Sequence, residues 1–345
     1  MFASRAGISA PPPSPSTVLE ITTLGDVGEA RRFAVALGGA AGLDESLRSD
    51  VGIVATELAT NLVRHGGGGQ LIVRPLEQQS GIEMLAVDRG PGMRDIEECL
   101  RDGYSSAGSL GHGLGAVRRI GTSFDAYSVP DQGTVVVVRV AGKRLPPSGA
   151  EPVTAGVCVA KSGEVESGDG WTTVTSGTRV AVCVVDGLGH GPAAAEAAAA
   201  GRGAFVRAAA GTPAEMLEGL HLALRPTRGA AVAVAIADAG AELVRFAGIG
   251  NVGGTILMPG GQRSLVSHNG IVGHQMPRVR EFEYPWPLGS SLVLYTDGVR
   301  SQWRIDSYPG VLQHDPAVLC ALLNRDYSRG RDDTTIVACR AGMAG

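Results

Sequence analysis

Apolar residues recur through residues 43–64 at the spacing of one helix face, with Val51, Val54, Leu58 and Leu62 three or four positions apart. Two dense apolar runs follow at 71–76 and 82–87, and a valine-rich run at 134–140 comes after a short helical stretch at 114–120. This order predicts an α+β layer with helices on one face of a sheet. Beyond it the rhythm changes. Strand patterns at 154–160, 178–185, 231–237, 243–248, 291–296 and 334–339 are interrupted by two helical stretches, 192–210 and 213–224. Many strands with few, long helices predict a sheet sandwich covered by helices. Between the two regions, 142–152 reads GKRLPPSGAEP and breaks the pattern with three prolines and two glycines. The expected organisation is a disordered tail over 1–16, a first domain over 17–141, a linker over 142–152 and a second domain over 153–341.

The length of 345 residues agrees with two domains, and 44% hydrophobic against 19% charged residues lets each bury a core. A net charge of -4 excludes a general nucleic-acid binder or a basic membrane surface. The five cysteines are scattered without a C-x-x-C pair, which fits neither a disulfide framework nor a zinc site and suggests core thiols in a reducing compartment. No run approaches the length of a membrane helix, and prolines stand where a signal peptide would be apolar. A cytoplasmic protein is expected. With 51 glycines and only 4% aromatics, glycine-rich loops are the first place to look for function.

Three segments of the first half carry candidate chemistry. Glu57 and Asn61 project from one helix face, where a carboxylate and an amide suit a magnesium ion and its water. DRGPGM, 88–93, puts an acceptor at a strand end, followed by two glycines against which a ligand can lie. GSLGHGLG, 108–115, runs into a helix whose free N–H groups suit phosphate. Each segment alone also reads plainly, as a solvated helix face, a Gly-Pro turn and a flexible loop.

In the second half, acidic residues stand at strand ends or beside glycine: Asp169 in SGDGW, Asp186 in VVDGLGHG, Asp297 in LYTDG, and Asp332 with Asp333 in RDDTTIV. Any one Asp-Gly pair is foremost a turn signal. Gathered at one sheet edge, they would suit hard, oxygen-preferring Mn²⁺ or Mg²⁺ and the activation of water. His190 reads equally as a general acid and as a structural residue at a helix start.

The order and spacing of the first set resemble the N, G1 and G2 boxes of the GHKL ATPases (the Bergerat fold, an α/β sandwich). Within them, 17–141 resembles the anti-sigma and switch serine kinases of bacterial partner switching, the RsbT type above all. That resemblance implies ATP and Mg²⁺. Glu57 would be the general base for a protein hydroxyl, Asn61 the magnesium ligand and Asp88 the acceptor for the adenine amino group. Gly90 and Gly92 would line the adenine pocket, Gly111, Gly113 and Gly115 would cradle phosphates, Thr134 would help hold the base, and 94–110 would be the lid.

The second set resembles PPM serine/threonine phosphatases of the SpoIIE and RsbX branch, a β-sandwich flanked by helices, over about 154–340. It implies two Mn²⁺ or Mg²⁺ ions, with Asp169 and Asp186 bridging, the Gly187 carbonyl on one ion, and Asp297 and Asp332, with Asp333 as the open neighbour, completing the set. The match departs at Ser167 and Gly170, which flank the Gly168–Asp169 pair. Together the resemblances imply a partner-switching enzyme that phosphorylates and dephosphorylates a STAS-domain protein in sigma-factor and stress regulation, with a sigma factor or a downstream phosphatase as further partners. The alternatives are a phosphatase with an ATP-sensing first domain, or an anti-sigma binding module.

Overall fold

A computed structural model describes residues 16–76, 80–100, 113–142 and 151–341. Residues 1–15 of the expected tail, Gly111, most of the expected lid and most of the expected linker lie outside these residues. The chain divides into two compact units, one over 16–146 and the other from 147 onward.

The first unit runs β1 (Thr17–Ile21), α1 (Leu24–Ala40), α2 (Glu45–Arg64), β2 (Gly69–Pro75), β3 (Gly81–Asp88), α3 (Ile96–Cys99), α4 (Leu114–Ile120), β4 (Ser123–Ser128) and β5 (Thr134–Ala141). Its antiparallel sheet has the order β1-β2-β3-β5-β4. Asp44 caps α2 by accepting the Leu47 N–H at 2.9 Å. The helix then buries Val51, Val54, Leu58 and Leu62 against Ile82, Met84 and Ala86 of β3. Each such side chain contributes about 1.5–3 kcal/mol of burial. The α1 helix, absent from the periodicity reading, leaves its larger apolar residues Val27, Phe33 and Leu37 only partly buried at the edge of the core. Its buried face consists of Ala30, Ala34 and Gly38, which give little hydrophobic contrast. The opposite sheet face holds a buried ion triad, Arg74–Glu83–Arg139, with both contacts at 2.6 Å. The three residues face one another across β2, β3 and β5, which pins that register.

The second unit runs β6 (Val153–Val159), β7 (Asp169–Ser176), β8 (Arg179–Gly187), α5 (Pro192–Ala208), α6 (Pro213–Leu224), β9 (Ala230–Asp238), β10 (Leu243–Ile249), β11 (Gly253–Met258), β12 (Gly261–Ser264), β13 (Ser267–His268), β14 (Phe282–Pro285), β15 (Ser291–Tyr295), α7 (Pro316–Tyr327) and β16 (Thr334–Arg340). One sheet has the order β13-β10-β9-β8-β7, with β14 also on β10, and the other β12-β11-β15-β16-β6. Val180, Val182 and Val184 of β8 face the second sheet's Ile256, Leu292 and Val337, whereas Ala181, Cys183 and Val185 pack toward α5 and α6. A strand covered on both sides must be apolar at both parities, hence its unbroken hydrophobic run. The α7 helix covers β6 and β16, giving a helix–sheet–sheet–helix stack. No helix among the described residues is long and apolar enough to cross a membrane.

Candidate active sites

In the first unit, β3 delivers Asp88 to the sheet edge, where its Oδ1 accepts the N–H groups of Gly90 (2.8 Å) and Thr134 (3.1 Å). Thr134, at the start of β5, shares a 2.9 Å hydroxyl contact with Ser128, and the Ser128 oxygen accepts the Met93 N–H at 2.7 Å. The loop after β3 is thereby tied to β4 and β5. Gly92 sits at φ 67°, and a Cβ there would lie 2.3 Å from the Val129 carbonyl oxygen, so only glycine lets the loop turn so close to the strand. Glu57, Asn61, Asp88, Gly92, Gly113 and Thr134 all line one cavity of about 820 Å³. Gly90 stands behind Asp88 as a donor, and Gly115 is buried in the first turn of α4. The cavity's apolar walls include Leu58, Ala86, Met93 and Val136. This is a slot for a flat, largely apolar ring with one polar edge directed at Asp88.

In the second unit, adjacent strands put Asp169 directly opposite Asp186 at the ends of β7 and β8. The other sheet brings Asp297, just past β15, and Asp332 and Asp333, just before β16. Thr296 joins the two sheets: its hydroxyl donates to Asp169 Oδ2 at 2.6 Å and accepts the Thr335 N–H at 2.9 Å. Asn251 donates its amide to Asp297 Oδ2. Asp333 has a separate structural task, because its two oxygens accept the N–H groups of Lys161 and Gly168, each at 2.8 Å, and it is buried. Asp332 is exposed beside it.

Burial pushes the Asp186 carboxyl up to about 7, with Asp297, Asp332 and Asp333 adding to the shift. Burial, then Asp186, holds Asp169 well above the carboxylate range against the opposing Thr296 hydrogen bond. Asp297 is raised by burial and by Asp332, while Asn251 and Arg329 pull it back. Asp186 Oδ2 is buried with no hydrogen-bond partner among the described residues. No three His, Cys, Asp or Glu side chains among those residues form a closed metal shell. What stands there is a looser group of like-charged oxygens. An orphaned buried oxygen among carboxylates fits a hard divalent cation in its donor chemistry.

Helix α5 is set against this edge. Gly187 donates to the Gly168 carbonyl at 3.0 Å, and a Cβ at Gly187 would come within 2.4 Å of the Ala194 carbonyl oxygen. The departures at Ser167 and Gly170 are accommodated: the Ser167 hydroxyl accepts the Asp169 N–H at 3.2 Å, and Gly170 leaves room for Arg202 of α5. His190 pairs with Glu164 at 2.8 Å on a half-exposed surface.

Ser128, Asn251 and Thr296 stand at these sites without having been marked by any sequence motif. A threonine closing the apolar run LVLYT was a usable signal for the last. Asn251 was visible only as part of the glycine-rich GIGNVGG, and Ser128 gave no signal until β4 was paired with β5.

Residues 22–140 match the Histidine kinase-like ATPase domain family, and 176–342 match Stage II sporulation protein E (SpoIIE). Asp169 precedes the second match, so its place at that site rests on the β7–β8 pairing. The chain is 30% identical over 120 residues to the Serine/threonine-protein kinase RsbT of Bacillus subtilis (strain 168), covering 34% of this chain and 90% of that protein. Among solved structures, one described as "The bacterial stressosome: a modular system that has been adapted to control secondary messenger signaling" is 24% identical, with a TM-score of 0.52 over 55% of this chain and all of that one, a likeness of fold. RsbX in complex with magnesium is 20% identical over 55% of this chain and 94% of that one, with a TM-score of 0.49. Through its first unit the chain belongs to the RsbT family of serine/threonine-protein kinases, here continued into a SpoIIE domain.

Proposed function

We propose that this chain is a cytoplasmic partner-switching regulator whose two units run opposed phosphoryl transfers on a STAS-domain protein. The first transfers phosphate from ATP to a serine or threonine, and the second removes it with divalent metal. The observation that carries this reading is the pair of unlike sites on one chain: an apolar-walled slot with Asp88 at its edge, and a group of carboxylates at one sheet edge with an orphaned, buried Asp186 oxygen.

In the first unit, Asp88 accepts the adenine amino group, with Gly90 and Thr134 holding its carboxylate and Gly92 shaping the slot. Gly113 and Gly115 approach the phosphates, and Gly111, outside the described residues, is assigned the same role. Asn61 holds Mg²⁺, and Glu57, one helix turn before it, takes the proton of the incoming hydroxyl. Phosphoryl transfer needs little beyond such positioning and charge neutralisation. In the second unit, Asp169, Asp186, the Gly187 carbonyl, Asp297 and Asp332 hold Mn²⁺ or Mg²⁺, while Asp333 fixes the 161–168 loop through its two N–H partners. Divalent ions held there supply positive charge to a phosphoryl group and lower the pKa of a water. Thr296 and Asn251 orient Asp169 and Asp297. A sigma factor or a downstream phosphatase is a further partner of such a switch.

The test is a time course of label transfer from ATP to a candidate STAS protein, with wild type and Asp186→Asn in parallel. Phosphoprotein should accumulate more strongly in the variant. ATP binding without transfer in either would replace this reading with a phosphatase whose first unit senses ATP.

A further inference from the structure

Three arginines, Arg300, Arg329 and Arg331, line a concave site of about 420 Å³ on the second unit. All three are exposed, and among the described residues their guanidinium groups make no hydrogen bond or ion pair. Their backbones are well fixed. The Arg300 N–H donates to the Tyr327 carbonyl at 2.9 Å, the Arg329 N–H donates to the Gly298 carbonyl at 2.8 Å, and Val299 and Ser328 form a β-bridge between them. Two loops that are distant in sequence are thus stitched into one platform. In a chain of net charge -4, three like charges on so small a concavity repel one another until an anion joins them.

The platform sits beside the carboxylate site. Arg300 follows Asp297 by three residues, Arg329 precedes Asp332 by three and Arg331 adjoins it, so each Cα lies within about 11 Å of one of these aspartates. Arg329 also acts on Asp297 through space, drawing its carboxyl down against the pull of burial. The arginine backbones are thus no farther from Asp297 or Asp332 than about three residues of extended peptide, within reach of one bound substrate segment. Guanidinium forks match carboxylate and phosphate oxygens in paired hydrogen bonds.

We infer that Arg300, Arg329 and Arg331 form a subsite for an acidic side chain, or a second phosphate, flanking the phosphorylated serine or threonine of the protein substrate. The inference rests on the phosphatase reading and adds the substrate's local charge to it. The subsite selects acidic phosphoproteins and orients them by a contact outside the reacting centre.

Full-length protein with Mn²⁺ would be given p-nitrophenyl phosphate and two phosphoserine peptides that differ only in flanking Glu against flanking Gln. Wild type should favour the acidic peptide about tenfold in kcat/KM, mainly through KM, and less so as salt is raised. In Arg300→Gln the preference should fall to about threefold, and in Arg300→Gln with Arg331→Gln to near parity, as expected for a few exposed charge contacts. A wild type that hydrolyses the aryl phosphate but treats the peptides equally, or cleaves neither, overturns the inference alone. So does a double variant that keeps the preference. No hydrolysis of any of the three substrates removes the phosphatase reading and this inference with it.

Discussion

Asp88 and Asp186 close apolar strands in almost the same local sequence, an aspartate running into glycine, yet their surroundings assign them opposite work. Asp88 Oδ1 receives two backbone N–H groups and looks into a slot with apolar walls. Asp186 stands opposite Asp169 and beside Asp297, Asp332 and Asp333, its Oδ2 has no partner among the described residues, and burial pushes it up to about 7. A carboxylate held by N–H donors is a fixed hydrogen-bond acceptor suited to a neutral ring. One held among other carboxylates suits a cation, because positive charge relieves the group.

The largest effect that sharpens this contrast is Asp186→Asn, which should lower metal-dependent dephosphorylation about a thousandfold through loss of a direct ligand. Phosphorylation of the same substrate should persist, and a coupled loss of both would break the contrast. On the other side, Glu57→Gln should slow phosphotransfer about a hundredfold or more by removing the base, while ATP affinity measured by calorimetry stays within a few-fold. Thr296→Val tests the bracing of Asp169 and should weaken Mn²⁺ binding about tenfold, the usual range for a residue behind a ligand.

The smallest effect is on stability. Asp186 binds its proton more tightly folded than unfolded. With metal removed, the second unit therefore loses stability as pH rises from the ordinary 3.8 through about 7, and loses no more above that. Melting curves in chelator at pH 5 and pH 8 should show a smaller gap for Asp186→Asn than for wild type, each kcal/mol relieved corresponding to about 2–4 °C. An unchanged gap would mean that Asp186 does not carry the strain.

The sequence showed six strands of the second sandwich, because strands buried on both faces write continuous apolar runs such as those of β8 and β9, but it missed β7 and β11 to β14, which are short or mix polar with apolar residues. It hid α1, whose buried face is Ala30, Ala34 and Gly38, and α7, which is buried at nearly every position and so has no polar stripe to mark a period. The candidate site residues were legible as motifs, but their division of labour was not. Asp332 and Asp333 are neighbours in sequence, and only the fold turns one outward and spends both oxygens of the other on Lys161 and Gly168. Thr296 and Asn251 matter through partners 127 and 46 positions away, which no local pattern records.

The most direct test is a crossed calorimetric titration of wild type, Asp88→Asn and Asp186→Asn with ATP in magnesium and, separately, with Mn²⁺ alone. Asp88→Asn should lose ATP binding and keep Mn²⁺ binding by the second unit, and Asp186→Asn should lose that Mn²⁺ binding and keep ATP. Each variant losing the other's ligand, or Asp186→Asn leaving Mn²⁺ binding intact, would contradict that separation.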